Sequence, residues 1–339
     1  MFFRDILGQE RPLSFLKTAL RTGQMPHAYL FLGGKGVGKA STALALAQAL
    51  NCEHRQSDEE ACGECGSCRR FAGGNHPDFL VLGPSSDRVG AQIKIEQIRA
   101  LRRQLGFPPL IGPWRVILIK PAEALNEPAA NALLKLLEEP PPHNLLILTS
   151  LAETDLLPTI VSRCRRLSFL PLPPGLVVQE LIKHRGLGHD QAALVAALSG
   201  GSLGQALAVE FQDLLAQRDQ AVAALEKLPQ CDTTEILDWA AGWTKNIAEL
   251  ENFLLLVRLW YRDLLALHFQ VPPARLVNQD RLVELAQARG RISPEILLQR
   301  LEALAQAHRH LQANLNVELT LDILGLRLQS PRLEGQNSF

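Results

Sequence analysis

The sequence of 339 residues lacks an excess of charge of either sign, because 35 lysines and arginines balance 35 aspartates and glutamates. A net charge of zero excludes a protein that coats nucleic acid by bulk attraction, although it leaves room for a local basic face. Aromatic residues are also scarce, at 5% of the chain, which argues against stacking on nucleic-acid bases. Any contact with DNA is therefore expected at phosphates, without reading of base sequence.

Long apolar runs are missing as well. The opening MFFRDILGQE carries charges and has no extended apolar stretch of the secretory type. The most apolar helix-like segment, Phe253 to Gln270, is interrupted by Arg258, Arg262 and Asp263, which argues against a membrane span. We therefore expect a cytoplasmic protein. In such a protein the six cysteines indicate metal ligands or buried thiols rather than disulfides.

The first half of the chain alternates short apolar strands with helices. Strands are predicted at Ala28 to Gly33, Asp78 to Leu82, Trp114 to Lys120 and Leu145 to Ser150, with helices over 39–50, 95–105 and 128–140. This alternation predicts a parallel sheet with helices on both faces. After the proline-rich segment 168–174 almost everything is helical in pattern. We expect an α/β domain over residues 1–170 followed by all-α domains, a small one over 171–209 and a larger one over 210–330, with a tail at 331–339.

The segment GGKGVGKA is similar to a nucleotide phosphate-binding loop (P-loop), G-x-x-x-x-G-K-[ST]. Gly33, Gly36 and Gly38 would let the backbone approach phosphates, and Lys39 would reach the outer ones. Ala40, however, stands where the hydroxyl that binds magnesium should be. The pattern leaves two interpretations open: the glycines and Lys39 hold ATP, ADP, phosphate or sulfate, or the loop binds no nucleotide.

A second feature of ATPases is missing at the end of the third strand. An ATPase would carry Asp-Glu there, whereas this strand ends in Lys120-Pro121. A cation replaces the carboxylate associated with the metal, and a proline replaces the residue that activates water. We therefore expect no catalytic magnesium and no hydrolysis, with a working ATPase that has drifted in sequence as the alternative.

Four cysteines form the pattern C-x9-C-x2-C-x2-C: Cys52, Cys62, Cys65 and Cys68. Four thiolates at such spacings suit a tetrahedral zinc ion and leave no position open for water, so a structural zinc site is predicted. The polar, glycine-bearing insert could hardly fold without a metal. An iron–sulfur cluster is the competing interpretation, but the fourth cysteine lies upstream and no downstream Cys-Pro follows.

Several motifs together resemble one family. They are FRDILGQ, HAYLFLGGKGVGK, the four-cysteine insert, ANALLKLLEEPP and TIVSRCRRLSF, and they cover most of residues 1–208; NLNVELTLDILGLRL at 314–328 is similar more weakly. The chain resembles the AAA+ clamp-loader subunits of bacterial DNA polymerase III. The resemblance implies an AAA+ domain, a helical lid and a helical collar that serves oligomerisation. It also implies a ring of five subunits that loads the sliding clamp onto primed DNA during replication.

Within this family the resemblance implies the member that does not hydrolyse ATP. Gly204, in GSLGQAL, stands where motor subunits carry an arginine that senses nucleotide. Arg163, in Ser-Arg-Cys, matches the arginine that reaches into the ATP site of a neighbouring subunit and stabilises charge on the transferred phosphoryl group. A structural ion pair is the alternative role for Arg163.

The resemblance also implies partners: motor subunits of the gamma/tau type, a clamp-opening delta subunit, the clamp and primer–template DNA. The complex has DNA-directed DNA polymerase (nucleotidyltransferase) activity, but this chain carries no recognisable polymerase site. Phosphate contacts are expected from cations of one segment, Lys94, Arg99, Arg102 and Arg103, unless these form an ordinary solvated helix surface. Two rival functions are an active AAA+ motor ATPase, of the loader or of helicase type, and a zinc-dependent nucleic-acid binder unrelated to replication.

Overall fold

Five short parallel strands form a single sheet in the order β2-β3-β4-β1-β5. They are β1 (Ala28–Leu32), β2 (Phe79–Leu82), β3 (Arg115–Ile119), β4 (Asn144–Ser150) and β5 (Arg165–Ser168). This computed structural model describes residues 1–55, 59–86, 91–243, 247–312 and 315–329. The predicted tail at 331–339 and Asn314 lie outside the described residues. Among the helices within these ranges, none is both long and apolar enough to cross a membrane.

The sheet lies between two layers of helix, because successive strand residues face opposite sides. On one face Tyr29, Phe31 and Ile147 pack against α1 (Glu10–Thr22) and α2 (Lys39–Leu50). On the other face Leu30 and Leu148, together with other strand residues, pack against α4 (Ile95–Leu105) and α5 (Glu127–Glu138). The predicted α/β class, with a parallel sheet and helices on both faces, is confirmed.

Three further short helices belong to this part of the chain. They are α3 (Gly66–Ala72), α6 (Pro158–Val161) and the start of α9 (Leu203–Ala208). By its contacts the chain divides into two compact units, of which the first is Met1–Pro173 with Gly201–Gln205. The second is Pro174–Gly200 with Ala206–Phe339. The division into an α/β domain, a lid and a collar stays a prediction.

Within its described residues the second unit is helical, as the sequence pattern after the proline-rich segment indicates. Its helices are α7 (Pro174–Arg185), α8 (His189–Leu198), α10 (Phe211–Lys227), α11 (Thr233–Trp243), α12 (Ile247–His268), α13 (Leu282–Arg289), α14 (Pro294–Gln312) and α15 (Val317–Gln329). The long α12 packs against α10, α13 and α14, and α15 packs against α11 and α14. Leu254, Trp260 and Leu264 of α12 are buried within the chain.

Candidate functional site

The glycine-rich loop lies between β1 and α2, and α2 begins at Lys39. All three of its predicted phosphate-binding glycines have positive φ, including Gly38 at +103°, and at two of them an added Cβ would also meet other atoms of the chain. At Gly33, whose φ is +139°, an added Cβ would lie 2.3 Å from the Phe169 carbonyl oxygen. At Gly36, whose φ is +73°, it would lie 2.2 Å from the Ser202 hydroxyl. The glycines thus serve close packing within the chain as well as any approach of a phosphate.

The Lys39 side chain turns back onto its own loop. Its ammonium group donates to the carbonyl of Gly33 and, at 2.8 Å, to that of Gly34. Burial lowers the pKa of Lys39, the Glu123 carboxylate opposes this shift, and Lys35 adds to it. A carboxylate oxygen of Glu123 is itself buried and has no hydrogen-bond partner among the described residues. Lys39 is therefore satisfied internally, and an incoming phosphate would have to compete with the loop carbonyls.

Gly204, at which the resemblance implies an arginine in motor subunits, contacts the loop directly. The Gly204 backbone N–H donates to the Gly36 carbonyl at 3.1 Å. An added Cβ at Gly204 would lie 3.1 Å from both the Cα and the carbonyl oxygen of Gly36. A side chain at this position would push the two backbones apart. The absence of a side chain at Gly204 is thus tied to a close backbone contact that the sequence did not reveal.

The N-terminal segment connects the glycine loop with the cysteine insert. Phe2 packs against the cysteine cluster. Gln9, which is buried, donates from its amide to the Val37 carbonyl of the loop at 3.2 Å and to the Leu170 carbonyl at 2.7 Å. Gln9, the last residue of the FRDILGQ motif, therefore holds the loop by hydrogen bonds from a segment outside the β1–α2 junction.

The structure brings the four predicted metal ligands together, in the order Cys52, Cys62, Cys65 and Cys68. Their Sγ atoms all lie within 4.8 Å of one another, and those of Cys62 and Cys68 are 3.9 Å apart. A tetrahedral zinc ion with Zn–S bonds of about 2.3 Å requires sulfurs about 3.8 Å apart. The donor set and its spacing therefore fit zinc, which would be held by four thiolates and would act as a structural cross-link.

Backbone N–H groups already point at these sulfurs. Glu64 and Cys65 donate to the Cys62 sulfur at 3.4 Å, and these bonds lower the pKa of Cys62 to about 6. Burial has the opposite effect on Cys68, where it raises the pKa to about 12. The N–H donors would stabilise negative charge on the ligands, as is usual for bound thiolates.

A buried histidine next to the cluster escaped the sequence analysis. The His76 ring stacks on Phe71 with centroids 4.1 Å apart. Its Nδ1 accepts from the Asp78 backbone N–H at 3.2 Å, so in the neutral ring Nε2 carries the proton and faces the Ser67 hydroxyl at 3.1 Å. Because Nε2 would donate to Ser67 rather than take its proton, this pair does not form an activated nucleophile. It fixes α3, which carries Cys68, against β2.

Arg163, the predicted trans-acting residue, lies just after α6 and is partly exposed. Its Nη2 donates to the Glu138 carboxylate at 2.8 Å and its Nη1 to the Thr159 carbonyl at 3.0 Å. The partner Glu138 is the last residue of α5 and was not identified from the sequence. The LLEEPP motif that contains Glu138 was the available signal.

An apolar loop between α4 and β3 is held by a buried ion pair. The Asp78 carboxylate accepts from the backbone N–H groups of Leu110, Ile111 and Gly112 at 2.6, 2.7 and 3.0 Å. Burial raises the pKa of Asp78, but these bonds and the Arg115 guanidinium outweigh that effect, so the pKa lies below its ordinary value.

Arg115 binds the carbonyl groups of the same loop. Its guanidinium donates to the carbonyls of Gln104, Phe107 and Pro108 at 2.9, 2.9 and 2.7 Å. Its Nε lies 3.5 Å from the Asp78 carboxylate, a charge contact rather than a hydrogen bond. The backbone of the loop therefore faces inward, and the side chains of Phe107 and Leu110 are left 70% and 68% exposed.

The expected basic segment consists of Lys94, which precedes α4, and of three arginines on α4, directly before this loop. All four of its cations are exposed: Lys94, Arg99, Arg102 and Arg103. Contact with DNA phosphates stays a prediction for them.

Comparison with known proteins identifies the family. The family model for "DNA polymerase III, delta subunit" matches residues 8–173, and the model for the C-terminal part of that subunit matches residues 212–329. DNA polymerase III subunit delta' of Bacillus subtilis is 30% identical over 325 residues, which are 95% of this chain and 96% of that protein. The protein of the same name from Pseudomonas aeruginosa is 37% identical over 241 residues, 66% of this chain and 72% of that protein.

A relative of a different name covers less of the molecule. DNA polymerase III subunit tau of Bacillus subtilis is 33% identical over 224 residues, 65% of this chain and 38% of that protein. The delta' relative, by contrast, matches nearly the full length of both chains. The chain therefore belongs to the family of DNA polymerase III subunit delta' (delta-prime).

Proposed function

We propose that this chain is a non-hydrolysing subunit of the DNA polymerase III clamp loader, which helps to load the sliding clamp onto primed DNA in the cytoplasm. The observation that carries the proposal is that three separate positions lack the groups expected of an ATPase. Ala40 offers no hydroxyl for magnesium, Lys120 and Pro121 follow β3, and Gly204 contacts Gly36 through its backbone. Each of these features removes a different requirement of ATP hydrolysis.

Arg163 would supply the catalytic function that the chain lacks in its own loop. Its guanidinium is partly exposed at the surface, where it could reach a nucleotide bound by an adjacent motor subunit of the gamma/tau type. There it would stabilise the charge that develops on the transferred phosphoryl group. The chain would thus act as an activator of a neighbouring ATPase and as a fixed member of a heteropentamer.

The last helix supports assembly with partner subunits. Leu321, Leu324 and Leu328 face the interior of the second unit, yet Leu319 and Ile323 are also apolar and are exposed on α15. A helix that is apolar on both sides fits an interface in which another subunit covers the exposed face. We assign this face to the collar contacts of the ring.

Two further contacts belong to the proposal. The cations of α4 would bind DNA phosphates, and the exposed tip with Phe107, Leu110 and Ile111 would contact the clamp, because a rigid apolar tip suits a protein partner.

An active motor ATPase is the second candidate, favoured by the similarity to tau. It requires a hydroxyl at position 40 and the Asp-Glu pair at the end of β3, where this chain carries Ala40, Lys120 and Pro121.

Reconstitution of the loader tests the proposal. With motor and delta subunits, clamp and primed DNA present, Arg163→Ala should lower ATP turnover at the neighbouring site at least tenfold, since a trans arginine contributes about 10³-fold or more in related systems. Arg163→Lys should not restore turnover, because lysine lacks the planar fork. Unchanged turnover would remove the trans role. ATP hydrolysis by the isolated chain that disappears on Lys39→Ala would establish the motor alternative instead.

A further inference from the structure

The Arg163 guanidinium is held by two groups of its own chain. Nη2 donates to Oε1 of Glu138 at 2.8 Å and Nη1 donates to the Thr159 carbonyl at 3.0 Å, with a longer contact of 3.5 Å to the Ser162 hydroxyl. Glu138 ends α5, whereas Thr159 lies in α6, so the contact joins two separate helices. The side chains of Arg163 and Glu138 remain 37% and 50% exposed.

These bonds leave the guanidinium able to bind a phosphate. A guanidinium has about five N–H donors, and the two short bonds use one on each terminal nitrogen. The Nε–H and one hydrogen on each of Nη1 and Nη2 stay available, which is enough for a forked contact with phosphate oxygens. Glu138 therefore holds the group from one side without occupying its whole donor set.

Stability does not explain why a glutamate stands at this position. An exposed ion pair contributes little to the free energy of folding. Moreover, Glu138 lies at the C-terminal end of α5, where the helix dipole disfavours a negative charge. The next residue, Glu139, makes no side-chain hydrogen bond or ion pair within the described ranges, so the contact with Arg163 distinguishes Glu138 from its neighbour.

We infer that Glu138 is a positioning residue, which orients the Arg163 guanidinium toward the nucleotide of a neighbouring subunit. The inference rests on the proposed function of Arg163. A long, flexible arginine loses rotamer freedom when it engages a phosphate, and a preformed contact lowers that cost before the neighbour arrives. Because the ordering is present in the free chain, its benefit appears in turnover rather than in the binding of ATP by the neighbour.

The test uses the reconstituted loader with clamp and primed DNA. Glu138→Ala should lower kcat for ATP about fivefold with KM unchanged, a size compatible with the ordering of one side chain. Glu138→Gln should keep most of the activity, because its amide oxygen still accepts from Arg163. The matched control Glu139→Ala should behave like the original protein. In an Arg163→Ala background, Glu138→Ala should have no additional effect.

Each other outcome overturns the inference. An unchanged kcat in Glu138→Ala would mean that the contact does not position the guanidinium, and a raised kcat would mean that Glu138 withholds it. A further loss in the Arg163→Ala background would show that Glu138 acts by another route. Arg163→Ala without effect would remove the trans role itself, and the inference with it. Melting temperatures of the variants identify any folding defect. If Glu138→Ala does not fold, Glu138→Met carries the test, because it keeps the length of the side chain but removes the acceptor for Arg163 and should lower kcat to the same extent.

Discussion

The buried pair of Asp78 and Arg115 offers the sharpest test of how the α/β unit is stabilised. Asp78→Ala would leave the Arg115 guanidinium buried without its counter-charge and would deprive three backbone N–H groups of their acceptor. Removing one partner of a buried pair costs about 3–5 kcal/mol. Since the N–H groups belong to a surface loop and can turn toward water, we expect a loss of about 4 kcal/mol in the free energy of unfolding.

The measurement must report on this unit alone, because a chain with two compact units need not unfold in one step. Hydrogen exchange of peptides from β3 and β4, followed through a guanidinium series, gives that local free energy. Glu153→Ala is the matched control: it breaks the 2.9 Å pair with Arg166, which is exposed, and should cost under about 1 kcal/mol. An Asp78→Ala loss no larger than that of the control would refute the assigned role of the buried pair.

The lowered pKa of Asp78 also determines how the stability of this unit changes with pH. Because the pKa of Asp78 in the folded chain is below its ordinary value, its stabilisation is complete at pH values above the ordinary aspartate range. It declines as the pH falls through the lowered pKa, where the folded protein also takes up the proton. The difference in stability between the original protein and Asp78→Asn should therefore be constant near neutrality and shrink in acid.

Two further predictions concern the metal module and the last helix. Zinc removal by a chelator, or Cys65→Ser, should lower the melting temperature of the chain. The zinc affinity, measured against a chromophoric chelator, should rise with pH, because burial raises the pKa of the Cys68 thiol and zinc must displace its proton. An affinity independent of pH would contradict this account. Ile323→Glu should leave the melting temperature nearly unchanged but abolish co-purification with motor and delta subunits. Val283→Glu, at a still more exposed position on α13, should leave co-purification intact. Intact assembly of Ile323→Glu would remove the collar role of α15.

Much of the fold could be predicted because its signals are local. The apolar run of β1 and the amphipathic pattern of α4 each fix one element, and α4 has the predicted bounds, Ile95 to Leu105. The strand β5 was missed. Its sequence, Arg-Arg-Leu-Ser, offers a single buried side chain, Leu167, and it becomes a strand only because it pairs with β1 at the edge of the sheet.

The candidate site shows the same contrast between local patterns, which could be predicted, and contacts between distant segments, which could not. The spacing of the cysteines is local, so the cluster could be predicted from sequence, and its sulfurs do lie together. The contact of Gly204 with Gly36 and that of Glu138 with Arg163 join segments far apart in the chain. Such contacts depend on the sheet order and on how helices pack against it, neither of which appears in residue spacing.

The loop between α4 and β3 inverts the usual arrangement, since the charged side chains that hold it are buried and its own apolar side chains are exposed. The groups that fix its backbone belong to Asp78 and Arg115, whereas the side chains of Phe107 and Leu110 contribute little to that fixation. Shape and surface chemistry are thus encoded by different residues. Substitutions at the tip can accumulate at small cost to folding, so related chains could change the surface of this loop while keeping the contacts that hold its backbone.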